Sequence, residues 1–313
     1  MTTEQNISIT QQIAFKISDY KQLSKFTLSF TVVFTCVICY LLAPNIVYDL
    51  KMVLLLFAGG MLITGSANAI NQAAEKRTDA LMKRTCKRPV AAGRMSQQEA
   101  YIFAFISGVL GVFIMWSYFN LSSALLSAFS IFIYGFIYTP LKTKSSIAVL
   151  VGAFPGALPC LIGWVAGTDL VSPFATLNVH GVDYYNAIGW ALFAIQFIWQ
   201  FPHFWAIAWL AYEDYNKAGF KLLPSEKGPS KFTAIQGIMY SALMIPVGLL
   251  PYYFGISGHI SLWIVLACNF FMVVQSIRLF IALNEKAARR VMFSSYIYLP
   301  IVYLSLLVDK VNV

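Results

Sequence analysis

Asn71, Glu75 and Asp79 stand four residues apart in the stretch NQAAEKRTDALMKRTCKRP, residues 71–89. On a continuous helix that spacing makes one stripe of oxygen donors, each about 6 Å from the next along the axis. Hard donors of this kind suit Mg²⁺, which takes one or two carboxylates and fills its remaining positions with water and substrate phosphates. Arg84 and Arg88, again four apart, could meet the same phosphates with planar guanidinium forks. A plainer reading competes: a solvated helix end with ordinary surface ion pairs, each worth about 0–1 kcal/mol. Two other segments favour the chemical reading. IYTPLK places Tyr138 near Lys142, and YEDYNKAGFKLLP places Glu213 and Asp214 beside Lys217 and Lys221. If the elements carrying these groups end on one side of a common frame, amide, acid and base converge as a metal–diphosphate would require.

That frame is a membrane. The chain has 313 residues, of which 59% are hydrophobic and 11% charged, against about 25% charged in a soluble domain. Its mean hydropathy is +0.69. A spanning helix needs about 20 mostly apolar residues. That rule selects nine segments: 26–43, 52–70, 100–117, 121–138, 146–166, 186–211, 232–254, 258–281 and 290–308. Of the 22 Lys and Arg residues, all but Lys51 and Lys310 then fall on one side of the bilayer. The positive-inside rule puts that side, and the N-terminus, in the cytoplasm and the C-terminus outside. The expected architecture is all-α: a polytopic nine-helix transmembrane bundle, with residues 1–25 a cytoplasmic segment and 26–310 a single domain.

The remaining features exclude more than they propose. Residues 1–25 hold no apolar core followed by a small-residue cleavage site, so no cleaved signal peptide is expected. The net charge of +9 is placed at span ends, where orientation explains it, and no nucleic-acid partner is expected. Cys36-x-x-Cys39 lies inside an apolar run and Cys86, Cys160 and Cys268 stand alone; all five read as structural. Residues 168–185, the longest outer segment, read as a surface or re-entrant loop. The loops after the second and sixth spans each mix acids with bases, four spans apart, as a duplicated bundle would leave them. A transporter is the rival class, with the acids as a cation or proton site. Such groups belong near the bilayer midplane, whereas these gather at helix ends on one face.

Taken together, N-x-x-x-[DE]-x-x-x-D after the second span, Y-x-x-x-K after the fourth and D-Y-x-x-A-G after the sixth resemble the UbiA superfamily of intramembrane prenyltransferases. DALMKRTCKRPVAAGRMS, YTPLKTKSSIAVLVGAFPGALPCLIGW, WQFPHFWAIAWLAYEDYNKAGFKLLP and FSSYIYLPIVYLSLLVD are similar to its haem-farnesylating branch, over about residues 25–310. The resemblance implies that farnesyl diphosphate, haem B and water give haem O and diphosphate, in a bacterial cytoplasmic (inner) membrane, on the route to haem A and terminal oxidases. Haem B is then a substrate, and Mg²⁺ is the cofactor. The resemblance further implies Asn71, Glu75, Asp79 and Asp214 as metal ligands and, with Lys142, as the catalytic set. Arg84, Arg88, Tyr138, Lys142, Lys217 and Lys221 would hold the diphosphate, and His203 would bind haem. Downstream partners would be a haem A synthase or a terminal-oxidase assembly. A prenyltransferase for a quinone precursor or a chlorophyll would share the diphosphate site but not the WQFPHFW and KRTCKRP surroundings.

The chain departs from the superfamily pattern at two places. Glu75 stands where many members carry Asp, and position 210 is Leu where a second Asp is common, with Glu213 adjoining Asp214. A symmetric two-metal clamp is therefore not expected. His203, in WQFPHFW after Pro202, reads either as a haem contact, with axial ligation in reach, or as a histidine hydrogen-bonded inside the bundle. His180 and His259 read as solvated. Gly152, Pro155, Gly156, Pro159 and Gly163 read as close packing around a kink in the fifth span. Asn68 is either a further polar contact of the site or an interhelical hydrogen bond.

Overall fold

The computed structural model of the chain describes residues 8–44, 46–225 and 227–311. Where the sequence is apolar for long enough, the backbone satisfies its own hydrogen bonds as helix, as lipid demands. Among the described residues, eight helices are long and apolar enough to cross a membrane. These are α3 (Leu50–Ala74), α5 (Gln97–Tyr118), the unit 121–141, α8 (Ala148–Thr168), α9 (Ala187–Leu210), α11 (Lys231–Tyr253), α12 (His259–Ala282) and α13 (Glu285–Val308). The ninth expected span is α2 (Phe26–Leu42), 17 residues long, which reaches crossing length only with α1 (Ile9–Leu23), bent from it by 50°. The elbow between them puts Lys25 in the left-handed region at φ 47°.

The helix α1 was not legible as a span because it is amphipathic. It starts at a reciprocal capping box, Ser8 with Gln11, that the motif S-x-x-Q announces. Ile9, Ile13, Phe15 and Ile17 remain exposed. Lys16 pairs with Glu99 on α5, and Asp19 pairs with Arg94 in the loop before it. This places α1 along the bundle edge, as an interfacial helix lies.

Two four-span groups build the bundle, one from α3 to α8 and one from α9 to α13. Each begins the same way. The helix α3 breaks at Glu75 (φ −91°, ψ 13°) and resumes as the short α4 (Lys76–Leu81). The helix α9 breaks at Ala211 (φ −100°, ψ 16°) and resumes as α10 (Tyr212–Lys217). The echo between the two loops is thus a repeated backbone feature. In the fourth span, α6 (Leu121–Phe132) widens into a π-helical turn, Ile133–Tyr138, before α7 (Thr139–Leu141). Such a turn inserts extra backbone and re-aims the residues after it.

The spans α8 and α9 are the centre, with 78% and 72% of their most apolar windows buried against 28–50% for the other spans. Close approach at α8 needs glycine. A Cβ at Gly163 would overlap the Cys36 carbonyl oxygen of α2, and one at Gly156 would overlap the Gln200 side chain of α9. Asn68 donates to the Ser24 carbonyl and the Ser29 hydroxyl, so it is the interhelical bond rather than a site group. At the end of the bundle away from the α3 and α9 breaks, Lys310 donates to the Leu41 and Ala43 carbonyls at the end of α2. Asp309 there accepts from the Ser261 amide at the start of α12. The segment 168–185, expected as a surface or re-entrant loop, has structure of its own. It contains a two-stranded antiparallel hairpin, β1 (Thr176–Val179) with β2 (Val182–Tyr185). Its two-residue turn, His180-Gly181, has positive φ at both residues, which matches the twist of a hairpin.

Candidate active site

The stripe of donors survives the break in α3. The Glu75 amide donates to the Asn71 carbonyl and the Asp79 amide to that of Glu75, at 2.9 and 2.7 Å. The spacing therefore stays α-helical and the three side chains keep one face. All three are buried. Two carboxylates at a helix end are withdrawn from water only if something compensates their charge, and each has its own cation. Lys142 Nζ lies 2.8 Å from Glu75 Oε1, both side chains under 10% exposed. Arg88 Nη1 lies 2.8 Å from both oxygens of Asp79.

The π turn explains how Lys142 arrives. Tyr138 packs its ring on Gly152, where a Cβ would clash, and Lys142 Nζ stands 4.5 Å from that ring's centroid and 5.7 Å from Phe220. An ammonium over two aromatic faces keeps its charge with little water. Thr139 accepts from the Asn71 amide group at 3.2 Å. The Lys221 amide donates to the Lys142 carbonyl, which stitches the loop after α10 to the fourth span.

The second half contributes from across the site. The Arg84 amide donates to Asp214 Oδ2 at 3.3 Å, and its guanidinium bonds the Tyr215 hydroxyl at 3.1 Å. Of the residues singled out in the sequence, the structure thus gathers Asn71, Glu75, Asp79, Arg88, Tyr138 and Lys142 in one cluster of adjoining pairs, and pairs Arg84 with Asp214. Lys217 is exposed, as is the side chain of Lys221, and no hydrogen bond or ion pair ties either ammonium to the network among the described residues. Among the described residues, no three acidic, His or Cys groups lie close enough together to hold a metal ion. Registering the two breaks explains the gap: Ile207, Ala211 and Tyr215 fall where Asn71, Glu75 and Asp79 stand. The second half keeps the break and lacks the donors. The donor chemistry of the first half still fits a hard cation, since Mg²⁺ is satisfied by one or two carboxylates with water and phosphate oxygens.

Lys25 was not singled out as a site residue. From the elbow outside the spans it donates to Asn71 Oδ1 at 3.3 Å. Burial first, then the nearby Arg88 and Lys142 charges, pull its ammonium well below the ordinary lysine range. In the sequence a lysine just before an apolar run is indistinguishable from a topology charge. Tyr215 and Phe220 were equally silent there, each one of many aromatics. His203, buried in α9, bonds Ser295 Oγ of α13 through Nδ1 at 2.8 Å and stacks on Trp199. The hydrogen-bonded alternative for this residue is therefore realised on one of its two nitrogens.

A helical bundle that gathers buried carboxylates, amide and cations at the ends of its spans has the form of a membrane-embedded enzyme with a charged site at one end of its helices. The chain belongs to the UbiA prenyltransferase family, which matches residues 32–298. It is 44% identical over 302 residues to a protoheme IX farnesyltransferase of Cytophaga hutchinsonii, covering 96% of this chain and 100% of that protein. It is 40% identical to the protein of the same name from Christiangramia forsetii, with 97% of each chain covered. Among solved structures, a digeranylgeranylglyceryl phosphate synthase superposes with a TM-score of 0.74 at 20% identity, covering 94% of this chain and 98% of that one. A UbiA homolog from Archaeoglobus fulgidus bound to GPP and Mg²⁺ superposes with a TM-score of 0.58 at 16% identity, covering 92% and 99%. These structural likenesses speak for the fold.

Proposed function

We propose that the chain transfers the farnesyl group of farnesyl diphosphate to a vinyl group of haem B, with water adding and diphosphate leaving, to give haem O. The near full-length identity to relatives named for this reaction carries the reading, and the network of Asn71, Glu75, Asp79, Arg88 and Lys142 supports it. The first half of the site is the diphosphate wall. Asn71, Glu75 and Asp79 would hold Mg²⁺, with Asp214 reaching it from the second half. When bound, the metal neutralises charge on the departing diphosphate. Arg88 and Lys142, which now compensate the carboxylates, are placed to share that charge, with Arg84 and the Tyr138 hydroxyl at the margin. Lys217, at the end of α10, and Lys221, in the loop after it, would join only from exposed positions. A vinyl carbon is a weak nucleophile, so the allylic cation must be kept from water until the carbon–carbon bond has formed. The aromatic residues below the network serve that exclusion.

The same reading extends to the setting. The domain spans residues 26–310 in a bacterial cytoplasmic membrane, residues 1–25 face the cytoplasm and the C-terminus is outside. Haem O passes to a haem A synthase or a terminal-oxidase assembly. Purified chain in lipid with Mg²⁺, haem B and farnesyl diphosphate is expected to release diphosphate and yield a farnesylated, hydrated haem by mass spectrometry. Folded protein that leaves haem unchanged and prenylates a phenolic acceptor would overturn the acceptor and keep the fold.

A further inference from the structure

His203 is fixed in one tautomer by a chain of bonds. Ser295 has a single hydroxyl proton, and it is committed to the Met292 carbonyl at 2.6 Å. With the proton on this shorter bond, Ser295 Oγ is left as acceptor toward His203, which places the imidazole proton on Nδ1 at 2.8 Å. The lone pair is left on Nε2. Among the described residues nothing bonds Nε2, and it is absent from the atoms that are both sealed and unpartnered. Ser295 is itself held, since its carbonyl accepts from the Trp199 indole at 3.0 Å. Trp199 covers one face of the imidazole, 4.7 Å away and 16° from parallel, and Tyr296 meets it edge-on at 5.1 Å. Tyr296 and Phe293 keep about half their surface exposed, so the ring borders an accessible aromatic surface. A proton held inward by an acceptor, with the opposite nitrogen free, is the arrangement that orients a metal-ligating histidine.

We infer that His203 Nε2 coordinates the iron of the haem acceptor, with Ser295 as the positioning residue behind it. This rests on haem being the acceptor. His203 lies seven residues before the end of α9, about 10 Å below the membrane face that carries the diphosphate wall. A macrocycle ligated there lies beneath the wall, and the coordinate bond makes the site select iron porphyrin over the same porphyrin without metal.

Titration of the full chain in lipid with ferric haem B, followed by optical and electron paramagnetic resonance spectra, tests the inference. The expected wild-type spectrum is that of a histidine-ligated haem. His203→Ala loses it and weakens haem binding at least about tenfold, the scale seen for disturbed metal sites, and added imidazole restores the spectrum. Metal-free protoporphyrin IX binds wild type and His203→Ala alike. Ser295→Ala, which keeps the ligand and frees its orientation, retains histidine ligation with severalfold weaker binding. A histidine-ligated spectrum that persists in His203→Ala, or a wild-type spectrum without a nitrogen ligand, overturns the inference. If farnesylated haem is still produced in that case, the proposed function stands without it.

Discussion

At the residue scale, the buried pair Glu75–Lys142 has two separable roles. As structure, the ammonium compensates a carboxylate that has lost its water; as chemistry, in the proposed reaction both groups would face the diphosphate. Removing one partner strands the other, and breaking a buried pair costs about 3–5 kcal/mol. Lys142→Met is therefore expected to lower the thermal midpoint clearly, and Glu75→Gln added to it to restore most of that loss, while neither variant transfers farnesyl. Recovery of activity with stability in the double variant would show that the pair is structural only. Asp79→Asn separates the same roles more gently, because Asn can still accept from Arg88. We expect turnover to fall by at least about 100-fold, as for loss of a principal electrostatic group, with the melting curve little changed. Full activity would remove Asp79 from the metal site. These residues were legible because their spacing is chemical. Lys25 was not, since nothing in a sequence separates a lysine that turns inward to Asn71 from one that anchors the helix end.

At the element scale, the spans were readable because lipid leaves a chain few choices: about 20 apolar residues per crossing, with basic residues at the inner ends. What escaped is whatever the bilayer does not dictate. The one-residue breaks at Glu75 and Ala211, the π turn that aims Lys142, and the His180-Gly181 hairpin all lie at or beyond span ends, where local backbone geometry decides. The glycines of α8 were recognised as packing residues, and the structure says which one matters most. Backbone cannot give way as a flexible side chain can, so Gly163 against the Cys36 carbonyl of α2 is less forgiving than Gly156 against Gln200. Gly163→Ala is expected to cost about 3 kcal/mol, the upper part of the usual range for overpacking, seen as a lower thermal midpoint in detergent. Gly93→Ala, in open space at φ 75°, is expected to cost about 1 kcal/mol from backbone strain alone. Equal losses in the two variants would show that the α2–α8 approach is not the tight contact.

At the scale of the whole molecule, the fold repeats a span–break–short-helix unit, and only the first copy carries oxygen donors at the register of Asn71, Glu75 and Asp79. The site is consequently one-sided: Glu75 and Asp79 with their cations come from the α3–α4 break, α4, the loop after it and the fourth span, while α10 brings only Asp214 and Tyr215, and α9 the aromatic interior with His203. One-sidedness also governs orientation, since both breaks and nearly all basic residues occupy the same face. If that face is cytoplasmic, Lys144, exposed between the fourth span and α8, and Phe174, 93% exposed before the hairpin, lie on opposite sides of the bilayer. Single cysteines placed there by Lys144→Cys and Phe174→Cys report the sides directly. A membrane-impermeant maleimide applied to intact cells with a permeable outer envelope is expected to label Phe174→Cys and to reach Lys144→Cys only after the membrane is opened. Of the native cysteines, Cys36, Cys39 and Cys160 are buried and Cys268 is partly buried within a span, but Cys86 is only partly buried in the loop after α4, on the Lys144 side, so both variants carry Cys86→Ser. The reverse labelling pattern would turn the diphosphate wall outward. Farnesyl diphosphate would then have to reach it from outside the cell, which is inconsistent with a charged substrate made in the cytoplasm.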